Sequence, residues 1–221
     1  MPRSDFDRSL RELQQELMVL GSMVGKAISR SITSLKNRDP EAALVVISED
    51  KDIDKQRFEL EDHCMEIVAT QQPLATDLRE IFSIFMIASE LERMGDYAKG
   101  IAKISLMMGE QPPLKPLVDI PRMGTISVEM INRSLDAFVN RNVEMAEDVC
   151  AIDDEVDGLH DQVYRELLIL MIIDPTSIER ATHLLWVAHN LERVADRATN
   201  IAERAIYVAT GKMTEINTAK Q

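Results

Sequence analysis

The chain contains a long internal repeat, and this repeat limits its fold more than any other feature does. Residues 90–103 (ELERMGDYAKGIAK) match residues 190–203 (NLERVADRATNIAE) at an offset of 100 positions. Upstream the offset becomes 103, and the segment at 50–54 corresponds to that at 153–157. A repeat of this length predicts two copies of one structural unit.

Apolar residues recur at spacings of three and four, which predicts amphipathic helices in both copies. Helix boundaries are marked by capping residues and prolines, such as Asp39 before Pro40 and the break at Asp174-Pro175. The predicted fold class is all-α, with two tandem, pseudo-symmetric three-helix bundles at 1–110 and 122–221. A linker with four prolines spans 111–121. Whether the bundles pack side by side or end to end stays open. The six predicted helices are Ser4–Asn37, Asp39–Gln71, Leu74–Gly109, Arg122–Asn140, Asn142–Ile173 and Thr176–Thr210.

The composition narrows the classes of partner. A formal net charge of −13 disfavours binding to nucleic acid and suits a cation-binding surface or a basic protein partner. The first residues lack the apolar core of a signal peptide, and the longest apolar runs, such as Leu167–Ile173, are too short to span a bilayer. Cys64 and Cys150 lie in apolar helical patterns and are predicted to be reduced. We therefore expect a cytoplasmic protein without membrane insertion.

Four pairs of acidic residues, each spaced four apart, are the candidate functional residues. Residues at this spacing share a helix face, and bare like charges there destabilise a helix by roughly 0.2–0.5 kcal/mol. The pairs lie on or beside the apolar stripe among small residues, so two facing pairs are predicted to form an oxygen cluster for iron, manganese, magnesium or zinc. The pairs are Asp50/Asp54, Glu92/Asp96, Asp153/Asp157 and Glu192/Asp196.

An alternative interpretation is that Arg93 and Arg193 neutralise these acids as ordinary ion pairs. The second copy also has Asn200 and Glu203 where the first has Gly100 and Lys103, which predicts a second site with more ligands. His160 lies three residues after Asp157 on the same helix face and is a possible further ligand or a surface residue. The sequence has no phosphate-binding glycine-rich loop and no hydrolase or zinc-protease motif.

The chain resembles the PhoU family, which regulates phosphate uptake and the phosphate-starvation response. The resemblance covers nearly the whole chain, including the FDRSLREL start, the acidic DKDID and DDEVD segments and both LERxxDxAxxIA motifs. It implies two similar three-helix bundles and multinuclear iron or zinc clusters at the four acidic pairs. It also implies a homodimeric negative regulator that contacts the phosphate ABC transporter and a sensor histidine kinase.

Two other functions compete with this regulatory role. A metal-free helical scaffold needs no ion at the acidic pairs. A ferritin-like di-metal carboxylate protein uses Glu-x-x-His pairs in a four-helix bundle, but no Glu lies three residues before any of the four histidines. We therefore expect no enzyme activity.

Overall fold

Six long α-helices make up the computed structural model, which describes residues 3–109 and 111–213. No strand occurs in these ranges, so the predicted all-α fold with six helices is confirmed. None of the described helices carries an apolar stretch long enough to cross a bilayer. The ends of the predicted domains at 1, 2, 110 and 214–221 lie outside the described residues. The helices are α1 (Arg3–Asn37), α2 (Pro40–Gln71), α3 (Ala75–Met108), α4 (Asp119–Asn140), α5 (Val143–Ile173) and α6 (Ile178–Thr210).

The loop that joins the first helix to the second has the same structure in both bundles. Arg38 and Arg141 are equivalent in the repeat, and both adopt the left-handed conformation, at φ of 54° and 51°. Asp39 and Asn142 follow them as N-caps, and each side chain accepts a hydrogen bond from the backbone N–H three residues later, at 2.9 and 3.0 Å. These bonds satisfy donors that the start of a helix leaves unpaired, so the repeated residues define where α2 and α5 begin.

Two helix starts differ from the sequence prediction by more than one residue. Helix α4 begins at Asp119, three residues before the predicted Arg122, and includes Pro121 in its first turn. Proline is tolerated there because the N–H groups of a first turn have no partner within the helix. Before α6, residues Pro175–Ser177 form a short 3-10 turn, so the α-helix itself begins at Ile178 and not at Thr176.

Within each bundle, the helix hairpin that carries the acidic pairs is closely packed. A Cβ atom on Gly95 of α3 would lie 3.2 Å from Ile53 of α2, which shows how closely the two helices approach. The second bundle has Ala195 and Val156 at the equivalent positions. The second copy has one carbon more at the glycine position (Ala195) and one carbon fewer at the isoleucine position (Val156). The combined side-chain size at this contact is therefore unchanged.

The two bundles pack side by side, which settles the question that the sequence left open. Helix α1 lies against α4, and α3 lies against α6. Gly21 faces Leu135, while Gly124 faces Ile32, and these two contacts are equivalent in the repeat. An exchange of contacts between equivalent residues is what a two-fold axis between the bundles produces.

Ion pairs join the bundles at two places, between α3 and α6 and between α3 and the residue that follows α4. Arg197 donates hydrogen bonds to Glu90 Oε2 at 2.7 Å and to the hydroxyl of Tyr97 at 3.1 Å. Tyr97 and Arg197 are equivalent in the repeat, so the pseudo-two-fold axis passes near their contact. Glu80 is almost fully buried and accepts a hydrogen bond of 2.5 Å from Arg141 of the other bundle. These ion pairs fix the bundles relative to each other.

We expect the fit between Ile53 and Gly95 to appear as coupling between substitutions. Ile53→Val alone should cost about 0.5–1.5 kcal/mol of unfolding free energy. In a Gly95→Ala background the same change should cost about 0.5–1 kcal/mol less, because the smaller valine makes room for the added methyl. Urea unfolding followed by circular dichroism measures all four variants.

Gly158→Ala in α5 is the matched control, since nothing lies within 4 Å of the added Cβ position. It should raise the unfolding free energy by about 0.5–1 kcal/mol through helix propensity alone. An equal cost of Ile53→Val in both backgrounds would contradict the close packing of α2 on α3.

Candidate metal-binding sites

The first acidic cluster lies between α2 and α3 and contains a lysine. Asp50 is buried, and Lys99 Nζ lies 2.5 Å from its Oδ2 atom. The same ammonium lies 3.7 Å from Asp96 Oδ1. One protein cation thus contacts one carboxylate from each of the two predicted pairs.

The remaining two carboxylates of this cluster are partly buried near like charges. Burial raises the pKa of Asp54, and the neighbouring Asp50 and Asp96 raise it further. Burial likewise raises the pKa of Glu92, with a further contribution from Asp96. Arg57 lowers both pKa values, although its guanidinium also donates two hydrogen bonds to Glu61, at 2.8 and 2.9 Å. The structure therefore brings the four predicted acids of this half into one electrostatic cluster.

The second acidic cluster lies between α5 and α6. Asp153 is buried and Asp157 is half-buried on α5, while Glu192 and Asp196 are half-buried on α6. Arg193 Nη1 donates a hydrogen bond to Asp196 Oδ2 at 2.8 Å. This contact matches the sequence alternative in which an arginine neutralises the motif, and Arg193 also lowers the pKa of Glu192.

Glu192 is a half-buried acid of the second cluster with one buried oxygen that lacks a hydrogen bond. Its Oε2 atom is buried and accepts no hydrogen bond from the described residues, although His189 Nδ1 lies 3.2 Å away. Burial raises the pKa of Glu192, the nearby Asp196 raises it further, and His189 and His160 lower it. The His160 and His189 rings lie 6.4 Å apart. An acid of this kind has unused capacity to bind a cation.

The structure corrects two expectations about the first motif. Asp96 does not point inward, because its side chain is 55% exposed at the rim of the α2–α3 hairpin. Arg93 is also exposed, whereas Lys99 directly contacts Asp50 and Asp96 of the first cluster. The sequence analysis missed Lys99, although the repeat contained the signal, since Thr199 stands at the equivalent position.

The two clusters differ in how well they fit a metal ion. Carboxylate oxygens and imidazole nitrogens are suitable ligands for iron and zinc, and the second cluster offers both. In the first cluster an ammonium group already lies between the carboxylates. Among the described residues, no three His, Cys, Asp or Glu side chains converge as ligands of one ion, so metal binding requires some side chains to rotate.

Comparison with known proteins identifies relatives over the whole chain. The family model described as the PhoU domain matches twice, at residues 17–105 and 120–205. A phosphate-specific transport system accessory protein PhoU homolog from Clostridium acetobutylicum is 39% identical over 98% of this chain and 100% of its own length. A protein of the same description from Aquifex aeolicus is 39% identical over 93% of each chain.

Solved structures agree with the family match. The crystal structure of PhoU from Pseudomonas aeruginosa superposes with a TM-score of 0.89 at 31% identity, covering 94% of this chain and all of that one. The phosphate transport system regulatory protein PhoU from Streptococcus pneumoniae has a TM-score of 0.89 at 32% identity, covering 96% and 100%. The two-bundle arrangement is thus shared with solved proteins.

We expect Glu192→Gln to stabilise the metal-free protein at neutral pH. Because the folded-state pKa is raised above its ordinary value of 4.5, the ionised form costs stability above the raised pKa, and this cost vanishes below 4.5. The melting temperature should rise by roughly 1–3 °C after allowance for solvent screening, and the gain should shrink as the pH falls toward that value.

Circular dichroism melting curves at several pH values, with a chelator present, measure this effect. Glu179→Gln is the control, because Glu179 lies on the same helix and is exposed. A lower melting temperature for Glu192→Gln at neutral pH would mean that the ionised carboxylate already has a sufficient partner within the protein.

Proposed function

The chain belongs to the PhoU family, and we propose that it is an accessory regulator of phosphate transport and not an enzyme. The observation that carries this proposal is the match over the full length of accessory proteins, with both bundles covered. In this role the protein is a negative regulator of phosphate uptake and of the phosphate-starvation response. It acts by contact with other proteins at the cytoplasmic face of the membrane.

The proposed partners are the ATPase side of the phosphate ABC transporter and a phosphate-sensing histidine kinase, with the protein acting as an adaptor between them. A net charge of −13 supports docking onto basic protein surfaces, at a rate that depends on salt. Large exposed apolar side chains near the ends of both hairpins also suit protein contact, since such groups mark interaction sites. Examples are Leu74, Phe82, Ile172, Ile173 and Trp186. The adaptor is proposed to be a homodimer.

Metal binding at the acidic motifs is the second part of the proposal. Iron or zinc, or else manganese or magnesium, is expected to bind at the motifs, and the half-buried Glu192 and Asp196 support such binding in the second bundle. Glu192 and Asp196, both on α6, would hold a divalent ion that neutralises their like charges. The buried Glu192 Oε2 atom accepts no hydrogen bond from the described residues, which supports its use as a metal ligand.

The two alternatives make different predictions about metal. A metal-free scaffold holds no stoichiometric ion when purified without a chelator or an affinity tag, as elemental analysis determines. A ferritin-like protein oxidises ferrous iron, which absorbance follows. The three-helix arrangement and the absence of Glu-x-x-His pairs from the sequence disfavour this last function.

Deletion of the gene tests the regulatory role. We expect phosphate-starvation genes to be expressed even when phosphate is plentiful, because the inhibitory contact with the transporter and kinase is lost. Reporter expression at high and low phosphate measures this response. Complementation with the unaltered gene is the control, and a normal response in the deletion strain would refute the regulatory proposal.

A pull-down from cells grown in high phosphate tests the adaptor role. The transporter ATPase and a histidine kinase should be recovered with this protein, in amounts that fall as ionic strength rises. Mass spectrometry identifies the captured proteins. Recovery of neither partner at low ionic strength would contradict the adaptor mechanism, even if deletion altered the response to phosphate.

A further inference from the structure

We propose that the two acidic motifs of this chain are not equivalent, because Lys99 takes the place of a metal ion in the first bundle. In this arrangement only the second bundle is a metal site. The inference for the first bundle stands on its own contacts, and the assignment of metal to the second bundle rests on the proposed function.

The position of Lys99 is the first argument. Its ammonium contacts the buried Asp50 at 2.5 Å and the facing Asp96 at 3.7 Å, so it lies where an ion bridging α2 and α3 must bind. A metal and an ammonium cannot share this position, since both need the same carboxylate oxygens and repel each other. Displacing Lys99 from the buried Asp50 also breaks a partly buried ion pair, which is costly.

The repeat supplies the second argument, because the second bundle lacks counterparts of Lys99 and Arg57, although Arg193 contacts Asp196 there. Thr199 replaces Lys99, and His160 replaces Arg57. Two permanently charged groups are thus exchanged for a hydroxyl and an imidazole, which coordinates metals when neutral. His189 Nδ1 lies 3.2 Å from Glu192 Oε2, and the His160 ring lies 6.4 Å from the His189 ring, so both imidazoles lie near the second motif.

A third position, one turn further along α3 and α6, also loses positive charge in the second bundle. Lys103 of the first bundle is replaced by Glu203 in the second. Burial, together with the charges of Glu203 and Asp153, raises the pKa of the Cys150 thiol to about 12. Three cationic positions have therefore become neutral or acidic, while the four motif carboxylates are kept.

Titration of the chelator-treated, full-length protein with Zn²⁺ alone tests the inference. We expect Glu192→Gln/Asp196→Asn to lose the tightly bound Zn²⁺ of the unaltered protein, and Glu92→Gln/Asp96→Asn to keep it. Lys99→Met should gain at least one additional Zn²⁺ per chain, since it removes the competing ammonium. Isothermal titration calorimetry and elemental analysis measure the stoichiometry.

Lys51→Met is the matched control, because Lys51 adjoins Asp50 in sequence but has an exposed side chain. It removes the same charge and should gain no Zn²⁺. In metal-free buffer Lys99→Met should melt roughly 5–10 °C lower, as Asp50 loses its partner, and added Zn²⁺ should restore the loss. The control should change little in either condition.

Thr199→Lys gives a second test that does not depend on the folding of Lys99→Met. It places an ammonium in the second bundle at the position of Lys99, and it should abolish Zn²⁺ binding there, whereas Thr199→Val should not. Retention of tight Zn²⁺ binding by a folded Thr199→Lys protein would overturn the inference.

The outcomes separate this inference from the proposed metal binding. Zn²⁺ in the unaltered protein with no gain in Lys99→Met refutes the inference and leaves the metal proposal intact. No Zn²⁺ in the unaltered protein but a gain in Lys99→Met supports the inference and refutes metal binding by the second bundle. Equal loss of Zn²⁺ in the two double variants refutes the non-equivalence.

Discussion

A carboxylate buried between two helices must be matched by positive charge, and this constraint governs the centre of each bundle. Asp50 and Asp153 occupy equivalent buried positions, each one turn from a second acid and opposite a further pair. Burying a charge without compensation costs several kcal/mol, roughly the scale of a domain's whole stability. In the first bundle Lys99 provides the compensation from within the chain. In the second bundle Thr199 stands at the position of Lys99, and we propose that a metal ion binds there beside Glu192 and Asp196.

Since the duplication, the packing residues of the two bundles have therefore changed less than their charged residues. Helix α5 packs on α6 as α2 packs on α3. Val156 and Ala195 stand at the positions of Ile53 and Gly95. Because tightly packed interiors resist changes of volume, such compensating exchanges preserve the backbone. Charged groups at the rim of the hairpin are under less steric constraint. The two bundles thus keep one shape while their acidic motifs acquire different chemistry.

The contact between bundles makes this difference relevant to regulation. Arg197, one residue after Asp196, lies in the interface and reaches Glu90 and Tyr97 of the first bundle. A change at the second motif is therefore adjacent to the ion pairs that hold α6 against α3. The first motif lies on the other side of the pseudo-two-fold axis. Because Lys99 already balances its acids, this motif does not change with the second one.

Much of this architecture could be predicted from the sequence, for identifiable reasons. The repeat and the caps at Asp39 and Asn142 gave the number of helices and their approximate ends, because capping is a local interaction. Side-by-side packing could not be predicted, since apolar stripes do not specify which helix of the other bundle covers them. The sequence analysis also missed Lys99, because the contact joins two helices and the motif was interpreted only through its acids.

Crystals grown with Zn²⁺ and measured at the zinc absorption edge test the central claim most directly. The account predicts anomalous density between α5 and α6, beside Glu192 and Asp196, and none between α2 and α3, where Lys99 contacts Asp50. Anomalous peaks of equal height in both bundles, with Lys99 turned away from Asp50, would contradict it.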